Sequence, residues 1–334
     1  MASATLDGTN KLVSTGLPAP IAYALLFVAC GLYFRMISVL MVAMFMSIIV
    51  LGLAMIVTYQ ESILYIPVIQ GWRTPADNPP GYQEPSQQRL QYQDVYFTTH
   101  DGVKIHGWFI PAPRGALESA VLSGYKPATL LFCHENAGNI GLRIPEFAKV
   151  HQAMRVNQLV FDYRGYGFSD TKPPTEAGLV ADALAAYEWI QQRAAADEAG
   201  PIDPSKVVVV GRSLGGAVAI ALCAELGRRR RKQQENEEGG RLAGEGGVPH
   251  GPAGLVVENS FTSISDMVDA KFPILNVPLF KAKFLRLKWD SLSAIQELDL
   301  PMLLLGSKRD EIVPAHQMHQ LRDAAGAKLP FPAA

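Results

Sequence analysis

Ser213 stands at the centre of Gly211-Arg212-Ser213-Leu214-Gly215, between the apolar run Val207 to Val210 and the small, apolar stretch Gly216-Ala217-Val218-Ala219-Ile220. A serine at a strand-to-helix corner is held in a strained backbone, and glycines around it keep bulk away so that its hydroxyl stands exposed. The spacing therefore predicts a nucleophile at Ser213. Attack on a carbonyl carbon also needs donors for the oxyanion, a base for the serine proton and an acid to orient that base. The backbone N–H of Leu214, next after the serine, supplies one oxyanion donor. The other is expected from the loop Cys133-His134-Glu135-Asn136-Ala137-Gly138-Asn139, with Asn136 as the donor and His134 as a residue that shapes the loop. Asp310, in the polar segment Gly306 to Pro314 after the apolar Leu303 to Leu305, is the expected acid, with Glu311 as the alternative. His316 and His319 follow as candidate bases, although a histidine in a predicted helix is more simply a solvated surface residue. His100 and His106 fall in a predicted hairpin and are read as turn and strand residues.

These residues need a scaffold, and the hydrophobic pattern provides one. Val95 and Phe97, then Val103, Ile105 and Phe109, alternate with polar neighbours around His100-Asp101-Gly102, which predicts a β-hairpin. Short apolar strands then alternate with helices. The strands are Thr129–Phe132, Gln158–Phe161, Val207–Val210, Gly254–Val257 and Met302–Leu305; the helices are Ile144–Met154, Thr175–Gln192, one from Leu214, and Ala315–Ala324. This pattern argues a mostly parallel sheet with helices on both faces and the reacting residues at the carboxyl ends of the strands. Residues 261–298 are apolar at irregular spacing and broken by Pro273 and Pro278, which suggests a small lid near the nucleophile and an acyl substrate beneath it. Residues 228–253 open with the basic run Arg228 to Lys232 and continue Gln/Glu- and Gly-rich, as a disordered surface insertion would.

The 334 residues carry a net charge of −1, so no global field draws the chain to nucleic acid. Cys30, Cys133 and Cys223 are far apart and set in apolar sequence, which predicts buried thiols and neither a disulfide framework nor a metal site; no cofactor is implied. Met36 to Val57 is uncharged and, as a helix, would extend about 33 Å, enough to cross a bilayer. It is read as an uncleaved single-pass anchor in contact with membrane lipid, with Ile21 to Phe34 as a helix extension or interfacial segment. Residues 1–20 form an N-terminal tail, 21–57 the anchor, 58–93 an extended Pro/Gln/Gly linker and 94–334 the folded domain. Lys11 and Arg35 precede the span and Glu61 follows it, which places the N-terminus in the cytosol and the folded domain in the lumen or outside the cell.

Five segments together carry a resemblance: Glu135 to Ile140, Asp162-Tyr163-Arg164-Gly165-Tyr166-Gly167, Gly211 to Val218, Glu258-Asn259-Ser260-Phe261-Thr262-Ser263-Ile264 and Asp310-Glu311-Ile312-Val313-Pro314. From about Tyr65 to Pro332 the chain resembles the membrane-anchored α/β-hydrolases typified by the plant wavy-growth protein and its fungal bud-emergence relatives. The resemblance implies an α/β-hydrolase fold after an N-terminal transmembrane helix, with Ser213 as nucleophile and Asp310 as acid. It also implies hydrolysis of esters or protein thioesters, depalmitoylation included, on acyl or lipid-like substrates. Such relatives close the triad with a histidine in a Phe-Pro-x-Gly-x-His turn, whereas this sequence reads Phe331-Pro332-Ala333-Ala334. The expectation is that the last strand and helix are truncated and the base is absent from this chain. A noncatalytic scaffold at the membrane and a serine peptidase of the same fold remain as alternative readings.

Overall fold

The structure, a computed structural model, describes residues 19–238, 250–273 and 276–326. The expected tail with Lys11, the middle of the 228–253 insertion, Ile274 and Leu275 of the lid, and Phe331 to Ala334 lie outside the described residues.

The chain divides after Thr58 into two compact units. The first is helix α1 (Ala19–Thr58), 40 residues long, which joins the two apolar stretches separated in the sequence by Arg35 into one rod of about 60 Å. Its side chains are almost all exposed, and the hydroxyls of Ser38 and Ser47 donate back to the carbonyls of Phe34 and Ala43 at 2.9 and 2.8 Å. A helix that is apolar all round and satisfies its own hydroxyls fits a transmembrane anchor.

In the second unit the elements run α2 (Gln60–Leu64), β1 (Gln93–Thr98), β2 (Lys104–Ile110), α3 (Arg114–Ser123), β3 (Thr129–Cys133), α4 (Ile144–Met154), β4 (Asn157–Phe161), α5 (Glu176–Ala196), β5 (Val207–Arg212), α6 (Leu214–Glu238), β6 (Gly254–Glu258), α7 (Ile264–Lys271), α8 (Pro278–Phe284), α9 (Ser291–Gln296), β7 (Met302–Leu305) and α10 (Ala315–Ala325). The strands form one sheet in the order β1-β2-β4-β3-β5-β6-β7. β1 and β2 are the antiparallel hairpin and β2 meets β4 antiparallel; the β4-β3-β5-β6-β7 pairs are all parallel. Alternation along the strands explains the two apolar layers. Trp108, Ile110 and Val160 pack with Ile144, Phe147 and Ala148 of α4, while Phe109, Leu159 and Phe161 join the larger cluster with Leu179 and Tyr187 of α5 and Val218 and Leu222 of α6. The sheet is thus covered on both faces, as the unbroken apolar runs of its inner strands require.

Three expectations are corrected. Residues 59–93 are not an extended tether. They fold into α2 and two 3₁₀ turns, Pro75–Asp77 and Pro85–Gln88, and bury Tyr65, Asn78 and Leu90 against the sheet unit. The basic run is not disordered at its start, because α6 continues unbroken to Glu238. Arg228 pairs with Glu225 and Glu297, and Arg229 with Glu225 and Glu188, so acids on α5, on α6 and beside α9 hold the cations that the sequence presents as a solvated run. Cys133 and Cys223 are buried, but Cys30 is exposed on α1, whose side chains find no core to enter; α3, which had no counterpart in the sequence pattern, is a mostly exposed helix between β2 and β3.

Candidate active site

β5 ends at Arg212 and α6 begins at Leu214, so Ser213 is the single corner residue between them. Its φ is +53°, the left-handed region that an L-residue adopts only when its surroundings impose it. Two close approaches impose it here. A Cβ at Gly211 would stand 2.1 Å from the Gly215 carbonyl oxygen, and a Cβ at Gly215 would stand 2.0 Å from the Cys133 carbonyl oxygen. Only glycine lets α6 start this close to the strand before it and to the end of β3. The corner is then tied down, since Ser213 N–H donates to the Glu258 carbonyl at 2.9 Å and Ser260 Oγ donates to the Ser213 carbonyl at 2.9 Å. Ser213 itself is half-buried, and among the described residues its Oγ has no hydrogen-bond partner.

The loop after β3 faces this corner. Tyr163 Oη donates to the His134 carbonyl at 3.0 Å, Tyr166 Oη to Asn136 Oδ1 at 3.2 Å, and the Gly138 N–H to the Ile66 carbonyl at 2.9 Å. Buried Arg143 donates to the Asn139 carbonyl at 2.6 Å and to the Ala137 carbonyl, and its Nε lies 3.1 Å from Glu135 Oε1. Asn136 is held on its other side by the chain that follows α2: its Nδ2 donates to the Leu64 carbonyl, and its Oδ1 accepts from Ile66 N–H at 3.3 Å. With the side chain so occupied, the N–H groups of Asn136 and Leu214 have no acceptor among the described residues. Fixed donors with nothing to bind are what an oxyanion requires, because no reorganisation is needed when the charge forms.

His134 is fully buried, its ring 4.3 Å from that of Tyr163, with Nδ1 on the Glu135 carbonyl at 2.7 Å. Burial, followed by the nearby Arg143 charge, pushes its pKa well down, so it stays neutral, consistent with a residue that shapes the loop. His106 is likewise a strand residue, buried with Nε2 on Asp94 at 2.8 Å, and His100 is exposed.

Asp310 follows β7, and its Oδ1 accepts from the N–H groups of Ile312 and Val313 at 2.8 and 2.9 Å. That leaves Oδ2 for another donor. The loop is registered to the serine through β6: Glu258 pairs with Arg212 on one side and Leu305 on the other, Asn259 N–H donates to the Leu305 carbonyl, and Asn259 Oδ1 accepts from Ser307 N–H at 2.7 Å. Ser213 and Asp310 therefore leave strands two spacings apart, about 10 Å. A spacing of that size between the strands exceeds hydrogen-bond reach, so a bridging group would be needed to couple the two side chains. His316 and His319 do not enter this gap in any described contact. α10 buries Gln317, Met318, Leu321 and Ala325, and both histidines are exposed on its outward face. Glu311 is exposed, and its carbonyl accepts from Lys271 Nζ of α7 at 2.6 Å, a contact between α7 and the loop that carries Asp310.

Sequence reasoning missed the role of the segment after α1. Ile66 bridges to Ala137, and Asn78 and Asn139 exchange side-chain amide hydrogen bonds at 2.8 and 3.1 Å. The buried Asn139, which also caps the 3₁₀ turn Ile140–Arg143, was the available signal.

A parallel sheet with a left-handed serine after its central strand, a donor loop beside it and a carboxylate loop two strands away is the plan of the α/β-hydrolase class. The chain belongs to the alpha/beta hydrolase family, whose model matches residues 105–333. It is 33% identical to the alpha/beta hydrolase domain-containing protein WAV2 of Arabidopsis thaliana over 86% of this chain and 82% of that protein. It is 32% identical to the protein bem46 of Schizosaccharomyces pombe over 84% of this chain and 80% of that one. Among solved structures, an esterase from Pyrococcus furiosus superposes with a TM-score of 0.53 at 19% identity, covering 80% of this chain and 86% of that chain; that likeness is one of fold.

Proposed function

We propose that the protein is a membrane-anchored serine hydrolase that cleaves carboxylic ester or thioester bonds of acyl or lipid-like substrates, protein depalmitoylation among them. The observation that carries this reading is the strained Ser213 corner, with its Oγ unbonded among the described residues beside the loop of Asn136. Ser213 Oγ attacks the acyl carbonyl, and the N–H groups of Leu214 and Asn136 take up the oxyanion. Collapse of the tetrahedral species expels the alcohol or thiol and leaves an acyl-enzyme, which water then cleaves to the carboxylic acid. Asp310 Oδ2 is the acid that orients an imidazole over the carboxyl ends of β5 to β7. A fluorophosphonate probe reports on the serine: the full chain should label and Ser213→Ala should not, and equal labelling of both excludes the assignment. Competition by p-nitrophenyl esters and acyl-thioesters of graded chain length then reads the substrate class.

The exposed, apolar α1 supports a single-pass membrane protein. Lys11 before α1, Arg35 within it ahead of the uncharged stretch Met36 to Val57, and Glu61 after it support a hydrolase unit in the lumen or outside the cell. Protease added to sealed microsomes should then spare the hydrolase unit until detergent is present; digestion without detergent reverses the topology.

The noncatalytic scaffold is the second reading, favoured by the absence of any histidine contact to Ser213 among the described residues. Failure of Ser213 to label in a folded protein supports it.

A further inference from the structure

α8 and the segment between α7 and α8 leave apolar side chains in the open, whereas α7 itself packs Ile264, Met267 and Val268 on the core. Leu279 is 80% exposed, and Phe272 and Val277 are exposed beside it in sequence. A second exposed apolar group, Ile63, Ile66 and Val68, lies on and just after α2. The two groups belong to segments bonded to one another. Buried Gln60 donates from Nε2 to the Phe284 carbonyl at 3.2 Å, and its Oε1 accepts from the N–H groups of Arg286 at 2.7 Å and Leu287 at 3.3 Å. Arg286 also pairs with Glu61 at 2.7 Å, and Trp289 Nε1 donates to Tyr65 Oη at 3.1 Å. Exposed apolar groups on two segments tied to one another in this way point to a surface contact.

Charge and chain order identify the contact. Between Lys271 and Lys288 stand Lys271, Lys281, Lys283, Arg286 and Lys288, with no acidic residue among them. Asp269 pairs with Lys281 and Glu61 with Arg286, while Lys283 and Lys288 are exposed without an ion-pair partner among the described residues. Apolar side chains interleaved with free lysines suit the boundary between acyl chains and phosphate headgroups. Gln60, which clasps α8, follows the last residue of α1 by two positions.

We propose that α8 and the segment Ile63–Val68 dock on the phospholipid surface, so that the α7–α8 lid sits in the headgroup layer and acyl substrates reach Ser213 from the bilayer. This rests on the reading of α1 as a membrane anchor. The wall of the site supports the route: the same Leu64–Ile66 backbone holds Asn136, and Lys271 of α7 holds the acid loop.

The test uses the full chain in nanodiscs of phosphatidylcholine and phosphatidylglycerol, with Cys30→Ser and an environment-sensitive fluorophore on Leu279→Cys. A Ser205→Cys label, at the opposite end of β5 from Ser213, is the aqueous control. The expected result at Leu279 is blue-shifted emission, quenching by headgroup-proximal spin-labelled lipid and several-fold less quenching by iodide than at Ser205. Lys283→Glu with Lys288→Glu should reduce the lipid quenching. Iodide quenching equal to the control overturns the proposal, and so does shielding from iodide without lipid quenching, which assigns the patch to a protein partner or second copy. Carbonate extraction of the same protein separates the premises: release from membranes defeats the anchor, whereas retention with an aqueous Leu279 label defeats the docking alone.

Discussion

At the scale of single residues the most telling group outside the serine corner is Asp162. It is fully buried at the end of β4, where its Oδ1 accepts from Ile140 N–H at 2.9 Å. Burial pushes its carboxyl up to about 7, against the opposing pull of that N–H and of Arg143. A carboxyl whose folded pKa lies above its unfolded value contributes most below the unfolded pKa, near 4, and loses that contribution as pH rises toward 7. His134, 4.0 Å away, is shifted down by burial and acts with the opposite sign, losing stability as pH falls through its unfolded value, so the wild-type profile alone is not diagnostic. The difference between wild type and Asp162→Asn isolates the carboxyl, since the amide oxygen keeps Ile140 satisfied. The variant should gain on the wild type by a few kcal/mol, to order of magnitude, between pH 4 and 7. Urea denaturation at several pH values measures it, and parallel profiles would sink the argument.

At the scale of elements, the segment from α2 to β1 shows where local pattern runs out. Asn78 and Asn139 are buried and hold the segment to the donor loop with two amide hydrogen bonds. Asn78→Ala removes both bonds between the two amides but leaves Asn139 its Gly141 and Arg73 partners, and should cost about 1–2 kcal/mol in urea unfolding while slowing fluorophosphonate labelling of Ser213. Unchanged labelling in a destabilised variant would show that the loop keeps its geometry unaided. The strands, the hairpin, α4, α5 and the serine corner were legible in the sequence because each rests on a local periodicity or on glycines within a few residues of Ser213. The packing of residues 59–93 was not, because Pro, Gln and Gly signal irregular chain without saying whether it is bonded elsewhere, and Asn78 meets its partner 61 residues away. The continuation of α6 was hidden for a related reason. A run of arginines reads as solvated until Glu188 and Glu297 are brought alongside. That the loop with Asp310 follows a strand was legible from the apolar Leu303 to Leu305; the outward turn of His316 and His319 depended on which face of α10 is buried.

At the scale of the molecule, the site joins residues from the far ends of the sheet unit: the chain after α2, the corner of β5, and the loop after β7. His316→Ala and His319→Ala should each leave turnover of short p-nitrophenyl esters within about twofold of the parent chain, because both side chains face away from the buried side of α10. A loss of about 10³-fold or more in either variant, with circular dichroism unchanged, would assign the base to α10.

The strand order has a further consequence, for synthesis. The serine strand β5 lies between β3 and β6, so the middle of the sheet cannot close until the ribosome has passed Arg212 and then Glu258. α1 emerges long before that. At roughly 5–20 residues per second, on the order of ten seconds or more separates the end of the anchor from the nucleophile strand. During that interval the apolar strands β2, β3 and β4 wait without the partner that buries them. A chain already held at the bilayer by its first helix spends that wait tethered to the membrane, so its sheet completes at the surface and not in free solution.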